Sequence, residues 1–152
     1  MPSSVDVQLV SLAKTIAGQF ELDPTLVCAV CEQESGWNKW AIRYEPAFMA
    51  KYVAPLYTNN KISATEAYAR SISWGLMQCL GQVAREFGYA GAIPKLCDPE
   101  TGIRIGCTIL KAKLERAAGD VKQGLLYWNG GGRPAYADEV LARMVHYRPD
   151  AP

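Results

Sequence analysis

Apolar residues at Val5, Leu9, Leu12 and Ile16 recur at steps of three and four, which puts them on one face of a helix, and Gly18 follows as a stop. Asp23 before Pro24 is an N-cap with proline at the first helical position, and the row Val27, Val30, Cys31 carries a second helix to Gly36. Ser63 with Glu66 three residues on is a capping-box pattern and predicts a third helix through Tyr68 and Ile72. A short helix is expected from Met77 to Phe87, stopped by Gly88. Asp98, Pro99 and Glu100 open the longest periodic segment, with Ile103, Cys107, Leu110 and Leu114 on one face and Gly119 closing it. Asp120 with Gln123 caps a further helix through Leu125 and Leu126. Asn129, Gly130, Gly131 and Gly132 then break the chain, and Pro134 begins a last helix holding Val140, Leu141, Met144 and Val145. No segment alternates for long enough to predict a strand, and Trp40 to Lys61 reads as loop-rich. The expected fold class is mainly α, one domain over residues 1–152 with several short helices.

Composition narrows the partners. The chain is 49% hydrophobic over 152 residues, enough for one buried core, and its 16 basic and 15 acidic residues cancel to a formal charge of +1. No electrostatic footprint for a polyphosphate backbone results, so nucleic acid is not an expected partner. No apolar run approaches the length of a membrane-spanning helix. Residues Met1 to Phe20 lack the basic start and solid apolar block of a signal peptide. The odd set Cys28, Cys31, Cys79, Cys97 and Cys107 predicts free thiols. Cys28 and Cys31 fall inside a helix rather than at its start, which speaks against a redox pair, and one histidine, His146, is too few for a zinc site. His146, beside Arg148 and Asp150, is expected in solvent, and without a further histidine no Ser or Cys triad can be assembled. No metal or organic cofactor is expected.

One carboxyl stands out. Glu34 shares a helix face with Val27, Val30 and Cys31, whereas Glu32 faces away. Burial and the negative end of the helix dipole both disfavour an ionised Glu34 and raise its pKa. A carboxyl that keeps its proton near neutral pH is a general acid, the group that glycosidic cleavage requires at the leaving oxygen. Ser35, Gly36, Trp37 and Asn38 follow at once as a tight helix exit.

The string Glu34-Ser35-Gly36-Trp37-Asn38, then Gly75-Leu76-Met77-Gln78, then Asn129-Gly130-Gly131 resembles, in that order, the signature of soluble lytic transglycosylases and the related goose-type lysozymes. The resemblance spans about residues 20 to 145 and implies a lysozyme-like fold that cleaves the glycan strands of peptidoglycan. It implies Glu34 as the sole catalytic acid and base, Ser35 as its support, and Gly75, Met77 and Gln78 as the wall beside the scissile bond. Asn129 matches the motif's asparagine, and Tyr136 resembles a late tyrosine whose hydroxyl points toward the catalytic carboxyl. The chain departs from the pattern in three ways. Trp128 stands where the family has tyrosine, so that either its indole N–H or the preceding Tyr127 fills that place; residues 41–70 form an insertion; and Arg133 to Ala135 replace a family glutamate.

The resemblance implies that Glu34 protonates the bond between N-acetylmuramic acid and N-acetylglucosamine, then deprotonates the muramoyl 6-hydroxyl to close a 1,6-anhydro ring. Glu45, in the insertion, carries the alternative: a second carboxylate across the cleft would activate water and make a hydrolytic muramidase, whereas an ion pair with Arg43 or Arg70 would merely pin the insertion. A non-catalytic peptidoglycan-binding structural component is the rival from another class. Trp37 and Trp40 are read as sugar platforms or core plugs, and Tyr52, Tyr57 and Tyr68 as groove walls or packing for the insertion. A monomer is expected. Synthesis in the cytoplasm and delivery to the cell wall in the manner of an endolysin is expected.

Overall fold

A computed structural model describes residues 6–150. The chain runs α1 (Val7–Gln19), α2 (Pro24–Ser35), β1 (Ile42–Tyr44), α3 (Pro46–Phe48), a π-turn (Met49–Val53), α4 (Ala54–Thr58), α5 (Ala64–Arg70), β2 (Ile72–Trp74), β3 (Cys79–Leu80) and α6 (Gly81–Glu86). It continues through a 3-10 turn (Ile93–Cys97), α7 (Pro99–Arg116), α8 (Val121–Asn129), α9 (Tyr136–Arg143) and a last 3-10 turn (Met144–Tyr147). The architecture is mainly helical.

The polar residues that start helices act as caps. Asp23 accepts from the Thr25 N–H at 2.9 Å, Ser63 from Glu66 at 3.1 Å, Asp98 from Thr101 at 3.0 Å and Asp120 from Gln123 at 3.1 Å. Asp6 does the same for α1 at Gln8, while Val5 lies outside the described residues. Leu26 through Cys31 are buried on every side, so α2 is the central helix; α1, α9 and the last 3-10 turn pack around it. Helix α7 forms the second axis, lying against α1, α8 and the turn at Ile93–Cys97. All five cysteines are free and buried in this core, and burial pushes the Cys28, Cys79 and Cys107 thiols up to about 12.

Several boundaries differ from the sequence expectations. Gly18 does not stop α1, which continues to Gln19. Helix α5 ends at Arg70, and Ile72 begins a strand instead. Met77 and Gln78 form a turn before β3, so the helix expected from Met77 starts only at Gly81. Pro134 precedes α9 rather than opening it, and Met144 and Val145 belong to the 3-10 turn. The segment read as loop-rich is a strand followed by short helical turns.

The antiparallel sheet, ordered β1-β2-β3, escapes the pattern because two or three residues cannot display alternation. Its register is nonetheless what shapes the site. Arg43 lies opposite Ser73 and Ser73 opposite Leu80, giving one row of side chains on one face of the sheet. No helix among the described residues is long and apolar enough to cross a membrane.

Candidate active site

That row forms one wall of a cleft of about 560 Å³, with Glu34 inside it. Glu45, two residues beyond Arg43, lies on the same wall, and Phe48 adds a ring. Ile109 and Lys113 of α7 line it as well, and Tyr127, Trp128, Asn129 and Gly130 at the end of α8 complete it.

Glu34 sits in the last turn of α2, which exits through Gly36 in the left-handed conformation at φ 56°. Ser35 pins this exit to the β2–β3 turn: its hydroxyl lies 3.0 Å from the Cys31 carbonyl and 2.8 Å from that of Leu76. Two donors converge on one oxygen of Glu34. The Tyr136 hydroxyl donates to Oε1 at 2.5 Å and the Trp128 indole N–H to the same atom at 3.2 Å. Oε2 accepts no hydrogen bond among the described residues and is not sealed in the interior, which leaves it to the cleft.

Burial raises the Glu34 pKa above the ordinary carboxylate value, and the hydrogen bonds from Tyr136 and Trp128 and the charge of Arg43 oppose this without cancelling it. Burial and the Glu34 charge also raise the Tyr136 hydroxyl, so that it stays a donor. Glu34 is therefore a carboxyl predisposed to hold a proton, with the free oxygen facing the space where a ligand would lie.

The question of Trp128 or Tyr127 resolves in geometry: the indole reaches Glu34, while the Tyr127 ring faces Arg116, whose guanidinium carbon lies 4.2 Å from the ring centroid. Gln78 lines the cleft, in the left-handed conformation at φ 51°. Its amide nitrogen donates to the carbonyls of Ala41 and Gly75, both at 2.9 Å, which leaves its oxygen as the group available to a ligand. Asn129 also lines the cleft, and its amide nitrogen is buried without a partner among the described residues.

Other expected site residues stand elsewhere. Met77 is fully buried, with its sulfur against Gly106 of α7, because the turn sends Leu76 and Met77 into the core and only Gln78 outward. Gly75 is buried too, at φ 74°; a Cβ there would collide with the Leu96 carbonyl oxygen, so its function is close backbone approach. Glu45 does face the cleft, and its carboxylate is 3.1 Å from the Arg43 guanidinium, while Arg70 pairs with Glu66 at 2.8 Å.

Trp37 is a core plug whose indole donates to the Tyr147 hydroxyl at 2.8 Å. Trp40, Tyr52, Tyr57 and Tyr68 are exposed. His146 is not free in solvent: its Nδ1 lies 3.0 Å from Glu32, which also accepts from Arg143 at 3.0 Å and from Tyr147 at 2.7 Å. Glu32 thus faces away from Glu34 as its helical position requires, but into a network instead of water.

Arg43, Phe48, Ser73, Leu80 and Lys113 were not singled out as site residues. The i,i+4 step from Ile109 to Lys113 and the two-residue step from Arg43 to Glu45 carry their signal. Among the described residues no group of three or more His, Cys, Asp or Glu is arranged to hold a metal.

No curated protein and no solved structure matched the chain. The family model described as the transglycosylase SLT domain matches residues 11–139, which takes in Glu34, the β2–β3 turn, the end of α8 and Tyr136. The chain therefore belongs to the transglycosylase SLT domain family, with that family's mainly α, lysozyme-like fold, and at family level its function is of the lytic-transglycosylase type, acting on peptidoglycan.

Proposed function

We propose that the protein cleaves the β-1,4 bond between N-acetylmuramic acid and N-acetylglucosamine in the cell wall, with Glu34 as acid and then base, and leaves a 1,6-anhydromuramoyl end. The observation that carries this is the lopsided bonding of Glu34, with two donors on Oε1 and none on Oε2. Donors on Oε1 favour placing the proton on Oε2, the oxygen open to the cleft. From there it passes to the bridging glycosidic oxygen as the bond to C1 breaks, and the leaving sugar departs as an alcohol. The carboxylate so formed is stabilised where it stands by Tyr136 and Trp128.

The substrate's own acetamido oxygen shares the positive charge at C1. Gln78, whose amide oxygen is free, and Asn129, which lines the same cleft, are the groups we assign to holding the sugar's amide and hydroxyls. Glu34 then takes the proton of the muramoyl 6-hydroxyl as that oxygen bonds to C1, which returns the carboxyl to its starting state without consuming water.

Mass spectrometry of digested sacculi tests the reading. The parent should release muropeptides one water lighter than hydrolytic products, with ends that borohydride does not reduce, and Glu34→Gln should release none. Reducible, hydrated ends would instead assign Glu45, the second carboxylate of the cleft, to water activation. Binding of sacculi without any release by the parent would leave a structural component.

A further inference from the structure

A second hollow of about 500 Å³ adjoins the cleft and shares Tyr127 and Gly130 with it. Arg116 and Gln123 line it, with the Gly130-Gly131 backbone and Pro134. Both glycines have left-handed φ, at 82° and 80°, and leave open space where side chains would stand. No acidic residue lines this hollow.

Arg116 lies over the Tyr127 ring, which orients the guanidinium plane and leaves its N–H edge unused. One turn earlier on α7, Lys113 reaches the cleft side of the same boundary. Neither cation has an ion-pair or hydrogen-bond partner among the described residues, whereas Arg43, Arg70, Arg85, Arg104, Arg133 and Arg143 are all paired with carboxylates. The acids nearest along the chain do not compensate, since Glu115 makes no ion pair among the described residues and Asp120 caps α8, and Glu45, which lines the same cleft as Lys113, is taken by Arg43.

We propose that Lys113 and Arg116 form a carboxylate-binding rim, which holds an acidic group of the glycan strand in the second hollow while the sugars lie over Glu34. The inference rests on the reading of the cleft as a peptidoglycan site. A planar guanidinium meets a carboxylate edge-on with two parallel hydrogen bonds, a match that a neutral sugar hydroxyl does not offer. In such a strand the carboxylate comes either from the lactyl group of a muramoyl sugar that bears no peptide or, where that group is amide-linked to a stem, from the stem's own carboxylates.

Calorimetric titration in a Glu34→Gln background tests this with three soluble ligands: a neutral N-acetylglucosamine oligomer, glycan strands stripped of peptide, and peptide-bearing strands. Arg116→Gln and Lys113→Gln are each compared with Lys111→Gln, which removes the same charge from the same helix where it faces Glu21 at 3.8 Å. Loss of one charge-assisted hydrogen bond should weaken binding of the acidic strands about tenfold, with the neutral oligomer and the Lys111 control changed by less than about twofold.

Weakening with the stripped strands alone assigns the lactyl carboxylate, which the amide bond to the stem masks in the peptide-bearing ligand; weakening with the peptide-bearing strands alone assigns the stem, and weakening with both shows that the rim takes either carboxylate. Equal weakening with all three, no weakening with either acidic ligand, or no binding at all overturns the proposal. The anhydro products of the parent are measured separately, so the cleavage reading can fail while the rim stands, or the reverse.

Discussion

Replacing Tyr136 by phenylalanine removes one hydroxyl from a side chain that is 3% exposed and leaves the ring that packs against the core. That hydroxyl is the shorter of the two donors on Glu34 Oε1, at 2.5 Å against 3.2 Å for Trp128. A hydrogen bond to a carboxylate is worth about 1.5–3 kcal/mol, and less to a carboxylic acid, so the loss falls on the state reached after Glu34 has given up its proton. At about 1.4 kcal/mol per factor of ten, kcat should fall about ten- to a hundredfold. The pH profile should move in a direction that simple damage would not produce. In the proposed mechanism Glu34 starts protonated, so activity is lost as pH rises through its pKa, and a donor to the carboxylate lowers that pKa. Without the donor the pKa rises, and the alkaline limb shifts to higher pH while the plateau drops. Release of anhydro muropeptides across a pH series reads both. An alkaline limb that moved down, or a plateau within about twofold of the parent, would refute the assignment of Tyr136 as the partner of the ionised acid.

Further outcomes follow from the same geometry. Glu34→Gln should melt at a higher temperature than the parent at neutral pH: a carboxyl whose pKa is raised on folding costs stability once pH exceeds the folded value, and the advantage of Gln should vanish below the unfolded value near 4.5. Glu32 behaves oppositely. Burial works to raise its pKa, but the hydrogen bonds from His146 and Tyr147 and the charges of His146 and Arg143 outweigh it, so stability is shed as pH falls through the lowered value. Melting curves should show that Glu32→Gln is destabilised at neutral pH by at least about 1 kcal/mol and has a flatter acid limb; equal acid slopes would contradict this. Gly75→Ala combines a left-handed φ of 74° with a collision at the Leu96 carbonyl, and should cost about 2 kcal/mol or more in urea unfolding; a loss of a few tenths would show that the turn can yield.

The helices at the centre of the fold were legible because their signals are local. Asp23-Pro24, Ser63 with Glu66, and Asp98-Pro99 each state a start within a few residues, and the structure uses the caps as written. Stops were less legible, since Gly18 offers helical geometry as readily as a break. The sheet was not legible, because strands of two and three residues are specified by partners distant in sequence: Ile42 pairs with Trp74 and Trp74 with Cys79. The side of a turn that faces a ligand depends on the same long-range pairing, so Met77 and Gln78, adjacent in sequence, part company between core and cleft. The conflict between Tyr127 and Trp128 was likewise undecidable without α7, since it is Arg116 that occupies the Tyr127 face.

Glu32 and Glu34 show why position on a helix alone does not assign chemistry. Both belong to α2 and both are withdrawn from water, with the Glu32 side chain only 8% exposed. What separates them is how many positive groups each meets. Glu32 finds Arg143, His146 and the Tyr147 hydroxyl divided over its two oxygens, so ionisation leaves nothing unanswered and its pKa falls. Glu34 finds only neutral donors, both on one oxygen, with Arg43 acting from a distance and committed to Glu45. Burial therefore wins there and raises the pKa, and the oxygen without a hydrogen-bond partner among the described residues is the one left to the cleft. The first carboxylate ties the end of the chain to the back of α2, which holds the helix that carries the second. An acid that had acquired the Glu32 surroundings would be stable and inert; the incomplete solvation of Glu34 is what the proposed proton transfer draws on.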